Sequence, residues 1–206
     1  MKSINLSILI FLLLISANLT AMTELGFDFG YSKQVYGYQK QNSTRERTYT
    51  GSMALYFLTL TAIEFNYSNS KEITTDNTVV KITGSDYSIM GYQNTIDTNV
   101  YGIGLRQSLV GGKSRIRPLI SLGYAKQFIK DSTNMTYRND VTNLGGVVLG
   151  NPSKKRQDSV FATFALKFII GKGLNLQGSV KTVFPAFKMG LAKDYVKYTV
   201  GFTWMF

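Results

Sequence analysis

Large apolar residues alternate with small or polar residues in many short stretches of this chain. In the last nine residues, the first alternating set is Tyr198, Val200, Phe202, Trp204 and Phe206. The second set is Thr199, Gly201, Thr203 and Met205. Because successive side chains of a β-strand point to opposite faces, this segment would form a strand with one aromatic face and one small, mostly polar face. Such a strand separates two different environments.

Eight stretches of this kind follow one another along the chain, and we predict a strand for each. Their approximate bounds are 23–34, 47–58, 60–72, 97–110, 115–129, 157–170, 174–184 and 193–206. The connections near 58–60, 111–114 and 171–173 are short, whereas those at 35–46, 73–96, 130–156 and 185–192 are long. This regular alternation of short turns and long loops is the pattern of barrels that span an outer membrane.

The N-terminus has the features of a secretory signal. Lys2 supplies a positive charge, an apolar stretch runs from Ile4 to Ile15, and small residues follow at Ala17 and Ala21. This stretch is too short for a spanning helix, so we expect a signal peptide over 1–21 and one barrel domain over 22–206. Ala17 is the second choice for the cleavage position. The sequence contains no cysteine, which excludes a lipoprotein anchor and a disulfide framework.

The alternating pattern leaves open which face of the barrel points inward. The interior of an eight-stranded barrel is only just wide enough to be filled by side chains. The face rich in Gly, Ser and Thr fits that narrow interior, and the face rich in Phe, Tyr and Leu fits lipid. We therefore predict that the apolar face points outward. The alternative is a soluble periplasmic barrel with its apolar face inside.

Three segments resemble the small eight-stranded outer-membrane barrels of the OmpA transmembrane-domain and OmpX class. They are the closing strand 198–206, residues 117–124 and residues 99–105. The resemblance implies an all-β, eight-stranded antiparallel transmembrane β-barrel with short periplasmic turns and long extracellular loops, in the outer membrane of a Gram-negative cell. It also implies that the closing strand is an assembly signal read by the barrel assembly machinery, through Tyr198, Val200, Phe202, Trp204 and Phe206. The family includes anchors, adhesins, small channels and lipid A enzymes, so it specifies architecture better than function.

Four charged residues fall on the predicted inward face at a similar distance from the periplasmic turns. They are Asp28, Glu64, Arg106 and Lys167. Because buried charges require partners, we predict that these two acids and two bases form a paired network that closes the lumen. The alternative is a selectivity ring in a narrow pore for small solutes or ions. Two further inward lysines, Lys181 and Lys197, lie nearer the outer mouth with no obvious acid beside them.

The chain is basic, with a net charge of +11, and several cations lie at the bases of the long loops. Candidates for contact with lipopolysaccharide phosphates are Arg45, Arg47, Lys154, Lys155 and Arg156. The alternative is that these cations are only solvated. Loops 73–96 and 130–156 are candidate surfaces for a protein partner. In particular, 73–96 could form a protruding hairpin whose edge binds a partner strand, or one that only shields the barrel mouth.

The residue content argues against catalysis. The chain has no histidine, so no Ser–His or Asp–His arrangement can form, and it lacks both His and Cys as metal ligands. We therefore expect no enzyme activity, no catalytic residue, no metal, no cofactor and no nucleic acid partner. The expected role is structural or surface interaction, with outer-membrane lipid and lipopolysaccharide as partners. A histidine-free lipid A enzyme is the remaining catalytic alternative.

Overall fold

The computed structural model describes residues 22–111, 114–186 and 189–206. The expected signal peptide, 1–21, lies outside these residues, as do parts of the predicted connections at 111–114 and 185–192. In the described part of the chain, no helix is long and apolar enough to cross a membrane.

Ten antiparallel strands and two short 3₁₀ helices make up the described chain. The strands are β1 Thr23–Tyr36, β2 Asn42–Tyr56, β3 Thr61–Asp76, β4 Val80–Lys81, β5 Tyr87–Ser108, β6 Ile116–Asn139, β7 Gly145–Leu149, β8 Ser153–Ile169, β9 Leu174–Pro185 and β10 Val196–Met205. The 3₁₀ helices are Tyr38–Lys40 and Met189–Tyr195.

Eight of these strands close into a barrel. Each strand of the ring pairs with two others of the ring, and the pairing of β1 with β10 completes it. The ring strands are β1, β2, β3, β5, β6, β8, β9 and β10. At the seam, the backbone N–H of Phe206 donates to the carbonyl of Thr23 at 2.9 Å. The predicted all-β, closed eight-stranded antiparallel barrel is confirmed.

The strands are strongly tilted, as the pairing register shows. A path that starts at Lys167 and moves from each residue to its partner on the next strand passes through Asp28 and Ser68. After one full circuit of the barrel it returns to the same strand at Gln157, ten residues away from Lys167. A closed sheet with this stagger has strands inclined to the barrel axis by about 35–45°. Directly paired residues on neighbouring strands therefore lie at different heights.

The strands extend further at the long-loop end than the sequence pattern predicts. β5 begins at Tyr87, ten residues before the predicted start at 97, and β6 ends at Asn139 instead of 129. β4 and β7 add to these extensions, so much of 73–96 and 130–156 is paired. Above the barrel both faces of the sheet meet water, so the apolar alternation weakens while the backbone pairing continues. The predicted start of the last strand at Lys193 is also wrong, because the 3₁₀ helix runs to Tyr195.

The two faces of the barrel wall differ as the alternation predicts. Leu105 and Phe202 are 58% and 54% exposed on the outer wall, whereas Ser121 and Thr203 are fully buried inside. Aromatic pairs line the outer wall, including Phe27 with Phe202 at 6.0 Å and Trp204 with Phe206 at 5.2 Å between ring centroids. The outer wall is thus apolar and the interior polar, the inverse of a soluble barrel.

A charge placed on the outer wall should destabilise the barrel in lipid. We expect Leu105→Arg and Leu166→Lys each to lower the free energy of unfolding by up to about 2–4 kcal/mol, the cost of a cation near the bilayer midplane. Thr163→Ser, on the interior face, is the matched control and should change little. Urea unfolding in lipid vesicles, followed by the fluorescence of the single tryptophan, Trp204, measures the difference. Equal midpoints for the three variants would mean that the facing is wrong.

Candidate functional site

A cluster of buried ion pairs lies in the lower lumen, at the end of the barrel that carries the short turns and both described chain ends. The Glu24 carboxylate, which is fully buried, accepts hydrogen bonds from Arg106 Nη1 at 2.7 Å and from Lys167 Nζ. Its other oxygen accepts from the Tyr56 hydroxyl at 3.0 Å. Arg106 Nε donates to Glu64 at 3.0 Å. We call Glu24, Tyr56, Glu64, Arg106 and Lys167 the plug.

Asp28 lies above the plug and outside its ion pairs. Its carboxylate accepts two hydrogen bonds from Gln177 Nε2, at 3.1 and 3.2 Å. The stagger of the barrel explains this position. Direct pairing leads from Lys167 on β8 across three strand boundaries to Asp28 on β1, and each step shifts the paired residue toward the long-loop end. Asp28 therefore lies about four residues higher than Lys167. The residue on β1 at the height of Lys167 is therefore Glu24. Distance from the turns alone, on which the predicted network of Asp28, Glu64, Arg106 and Lys167 rests, takes no account of this stagger.

Glu24 is a central member of the plug that the sequence pattern did not single out. Glu24 is two residues from Gly26 and four from Asp28, so on a strand it lies on the same inward face as they do. This alternation is the sequence feature that predicts its position in the lumen. A second missed residue is Phe161, which is fully buried in the lumen. A Cβ built on Gly104 or Gly123 would lie 2.8 and 2.5 Å from its ring, so the absence of side chains at both positions makes room for this aromatic residue.

Above the plug, the lumen widens into a cavity of about 330 Å³, which we call the vestibule. Lys181 lies at its floor, where it donates to Asn66 Oδ1 at 3.2 Å. Lys197 lies at its rim, where it forms an ion pair with Glu46 and donates to Ser70 at 2.9 Å. Lys197 thus has an acidic partner that the sequence analysis did not identify.

The cations predicted to contact lipopolysaccharide divide between the two faces of the sheet. Strand alternation places Arg45, Arg47, Lys154 and Arg156 on the outer wall and Lys155 on the opposite face. The Arg156 guanidinium lies 5.6 Å from the centre of the Phe128 ring. Further outward cations, which sequence analysis did not single out, are Lys33, Lys71, Lys126 and Lys130. We call these eight outward residues the collar.

The collar lies directly above a band of outward tyrosines. These are Tyr31, Tyr49, Tyr67, Tyr101 and Tyr124, each more than 40% exposed. Tyr67 and Tyr101 pack at 5.1 Å between ring centroids, and Tyr101 packs against Phe128 at 5.9 Å. Tyrosine rings prefer the boundary between hydrocarbon and headgroups, so this band marks the outer boundary of the apolar wall.

A four-stranded sheet extends beyond the barrel at the long-loop end, in the order β4, β5, β6, β7. β7 is its edge strand and carries Val147 and Leu149, which are 60% and 72% exposed. The backbone bonds of Leu144 and Gly150 to β6 place Gly145, Val147 and Leu149 with their N–H and C=O groups toward the outer edge. In the described chain, no strand pairs with this edge.

The outer face of the closing strand carries the predicted assembly-signal residues. Tyr198, Val200, Phe202, Trp204 and Phe206 are 73%, 61%, 54%, 57% and 62% exposed. They lie on one face, beside the seam with β1. Their role as an assembly signal stays a prediction. The described residues contain no cluster of His, Cys, Asp or Glu that could hold a metal ion.

Removal of Arg106, which pairs with both Glu24 and Glu64, should destabilise the folded barrel. Arg106→Met leaves the Glu24 and Glu64 carboxylates buried without that partner, so we expect the free energy of unfolding to fall by about 3–5 kcal/mol. Asp28→Asn keeps an acceptor for Gln177 and should cost no more than about 1.5 kcal/mol, the size of one neutral hydrogen bond. Urea unfolding in vesicles compares the two variants. A loss for Asp28→Asn as large as that for Arg106→Met would contradict the separation of Asp28 from the plug.

Comparisons with known proteins give the fold and no finer assignment. No protein-family model matches the sequence, and no curated protein matches it. Among solved structures, the N-terminal β-barrel domain of Pseudomonas aeruginosa OprF has a TM-score of 0.52 at 12% identity, over 90% of this chain and 98% of that domain. The attachment invasion locus protein Ail of Yersinia pestis, solved with the heparin analogue sucrose octasulfate, has a TM-score of 0.47 at 11% identity, over 91% and 100% of the two chains. Neisserial surface protein A has a TM-score of 0.39 at 8% identity, over 90% and 97%. The likeness to the OprF domain shows that this chain has the fold of a small eight-stranded β-barrel.

Proposed function

We propose that this chain is an integral outer-membrane protein that is anchored in lipopolysaccharide and presents a surface for interaction with another protein. The observation that carries the proposal is the order of side chains on the outer wall. An apolar wall ends at the tyrosine band, and the cationic collar begins directly above it. In a bilayer these three zones match hydrocarbon, the headgroup boundary and the anionic outer surface.

The collar is strongly asymmetric in charge. Its eight cations share this part of the described outer wall with two acids, Asp97 and Asp158. Direct strand pairing forms a row of Arg47, Lys71, Asp97, Lys130 and Lys154. This row contains four cations and a single acid, which adjoins only Lys71 and Lys130. Cations paired across strands repel one another unless anions lie between them. The phosphates of lipopolysaccharide supply such anions at this height.

The facing of the 154–156 segment gives a sharp test. We expect Lys154→Gln with Arg156→Gln to weaken association with lipopolysaccharide, and addition of Arg45→Gln and Arg47→Gln to weaken it further. Lys155→Gln removes one charge from the same segment but from the opposite face, so it should have little effect. Co-purification of labelled lipopolysaccharide with the folded protein measures the association. The singly substituted Lys154→Gln and Arg156→Gln match Lys155→Gln in charge. If Lys155→Gln lost as much association as either of them, the effect would be one of net charge alone.

The surface-interaction part of the proposal comes from the β7 edge. Among the described residues, the backbone groups that β7 directs outward at three positions have no strand partner, and its sequence Gly-Gly-Val-Val-Leu is uncharged. Exposed apolar edge strands pair readily with another extended chain, and the usual protection by charge or proline is missing here. The partner that fits is an extended protein segment that adds a fifth strand beside β7.

A proline at one edge position should block this strand addition without breaking the sheet. Val147→Pro removes a backbone N–H that points to the free edge, so β7 keeps its bonds to β6 while a docked strand loses one. Val148→Pro is the control for loss of β7 itself, since the N–H of Val148 faces β6. We expect extended peptides selected from a random library on the unaltered protein in nanodiscs to lose affinity for Val147→Pro.

Unchanged peptide binding by Val147→Pro would place the interaction elsewhere.

The lumen supplies a separate check on the class of function. The plug predicts no steady conductance of the unaltered protein in a planar bilayer at neutral pH. Steady open channels would instead support the alternative of a narrow pore for small solutes or ions.

A further inference from the structure

The vestibule has two chemically different walls on opposite sides of the lumen. The side formed by β2, β3 and β10 carries hydroxyl groups, from Thr48, Thr50, Ser68, Ser70 and Thr199. The side formed by β5, β6 and β9 is mainly aliphatic, with Ile96, Val100, Ile129 and Val183, and also carries Thr98 and Gln127. A cavity with one polar and one apolar wall matches a ligand that has an apolar body and a polar head.

The hydroxyl wall is held in a fixed arrangement. Thr48 donates to Ser70 at 3.1 Å, Thr50 and Ser68 are bonded at 3.0 Å, and Ser179 and Thr199 at 2.6 Å. Ser70 accepts from both Thr48 and Lys197, so its two lone pairs are in use. The bonds given for Thr48, Thr50, Ser68 and Thr199 leave each of these hydroxyl oxygens a lone pair for a guest. These cross-strand bonds leave a preformed cavity, so little ordering accompanies the entry of a ligand.

Lys181 at the floor is the group with unused binding capacity. Its ammonium donates to Asn66 Oδ1 and lies 5.6 Å from the centre of the Phe161 ring, and among the described residues no carboxylate is within 4 Å of it. An ammonium has three N–H donors, so two are left for a ligand. A buried cation of this kind gains most from a partner that carries negative charge.

We propose that the vestibule binds a small organic monoanion, a carboxylate with an aromatic or short aliphatic body, whose head accepts hydrogen bonds from Lys181. The body would lie against the aliphatic wall and the carboxylate would face the floor. This inference uses the interior of the barrel and does not rest on the proposed function of its outer surface.

The charges around the cavity favour one negative charge over two. Below the floor, Asp28 and Glu64 already attract Lys181. At the rim, Glu46 and Glu72 face the single ammonium of Lys197, which is already paired with Glu46. A dianion entering past two carboxylates is repelled more strongly than a monoanion, so a phosphate monoester fits less well than a carboxylate.

The test measures benzoate binding to the full barrel in lipid nanodiscs by calorimetry, with empty nanodiscs subtracted. Benzyl alcohol matches benzoate in its body but has no charge, and phenyl phosphate carries a second charge. Lys181→Met keeps the aliphatic stem and removes the ammonium. Lys172→Met, in the exposed turn after β8, is the matched lysine control.

We expect benzoate to bind the unaltered protein and Lys172→Met alike, and to bind Lys181→Met about tenfold or more weakly, the value of one charge-assisted hydrogen bond. Benzyl alcohol and phenyl phosphate should both bind more weakly than benzoate. No benzoate binding, or equal binding by Lys181→Met, would overturn the proposal. If Lys181→Met does not fold, the ¹⁵N resonance of the Lys181 side chain in unaltered protein decides: a shift with benzoate supports the site, and no shift refutes it.

Discussion

In hydrocarbon, a backbone N–H or C=O without a partner has no water to bond with, and this constraint determines the rest of the molecule. It excludes an open edge at membrane depth, so β1 must meet β10 and the sheet must close. Closure of only eight strands makes the interior narrow, so large side chains are directed outward and small or polar ones inward. The period-two pattern in the sequence follows from this division. Above the membrane the constraint is relaxed, and there the sheet has a free edge at β7.

The narrow interior also explains why its charges are paired so tightly. A carboxylate or ammonium buried in the lumen is isolated from bulk water, so it is stabilised by a counter-ion or a hydrogen-bonding group on another strand. Glu24 does so with two cations from strands that are distant in sequence, and Arg106 does so with two carboxylates. Each bond in this cluster connects different strands. The plug therefore links parts of the chain that are distant in sequence.

The strand number, the closure and the facing of the strands could be predicted from sequence, because each depends on local alternation in contact with two different environments. Strand ends could not, as β5 and β6 show: their outer halves meet water on both faces and lose the pattern while the pairing continues. The plug was only partly predictable. Its members Glu64, Arg106 and Lys167 follow from parity, but the height of Asp28 relative to Glu24 depends on the stagger of the whole ring, which no single strand encodes.

The alternation of side chains between the two faces of the barrel wall also divides the charged segment 154–156 of β8. Lys154 and Arg156 join the outer collar, whereas Lys155, between them, lies on the other face. A run of three adjacent cations thus acts as two separate groups once it is extended. On the inner face, the lumen cations are held by carboxylates or, for Lys181, by an amide and an aromatic ring. On the outer wall, direct pairing brings Arg47 beside Lys71 and Lys130 beside Lys154 with few acids near them. Among the described residues, charge in the lumen is thus compensated largely by the protein itself, whereas in the collar only Lys126 has a carboxylate within 4 Å, that of Asp158 at 3.8 Å.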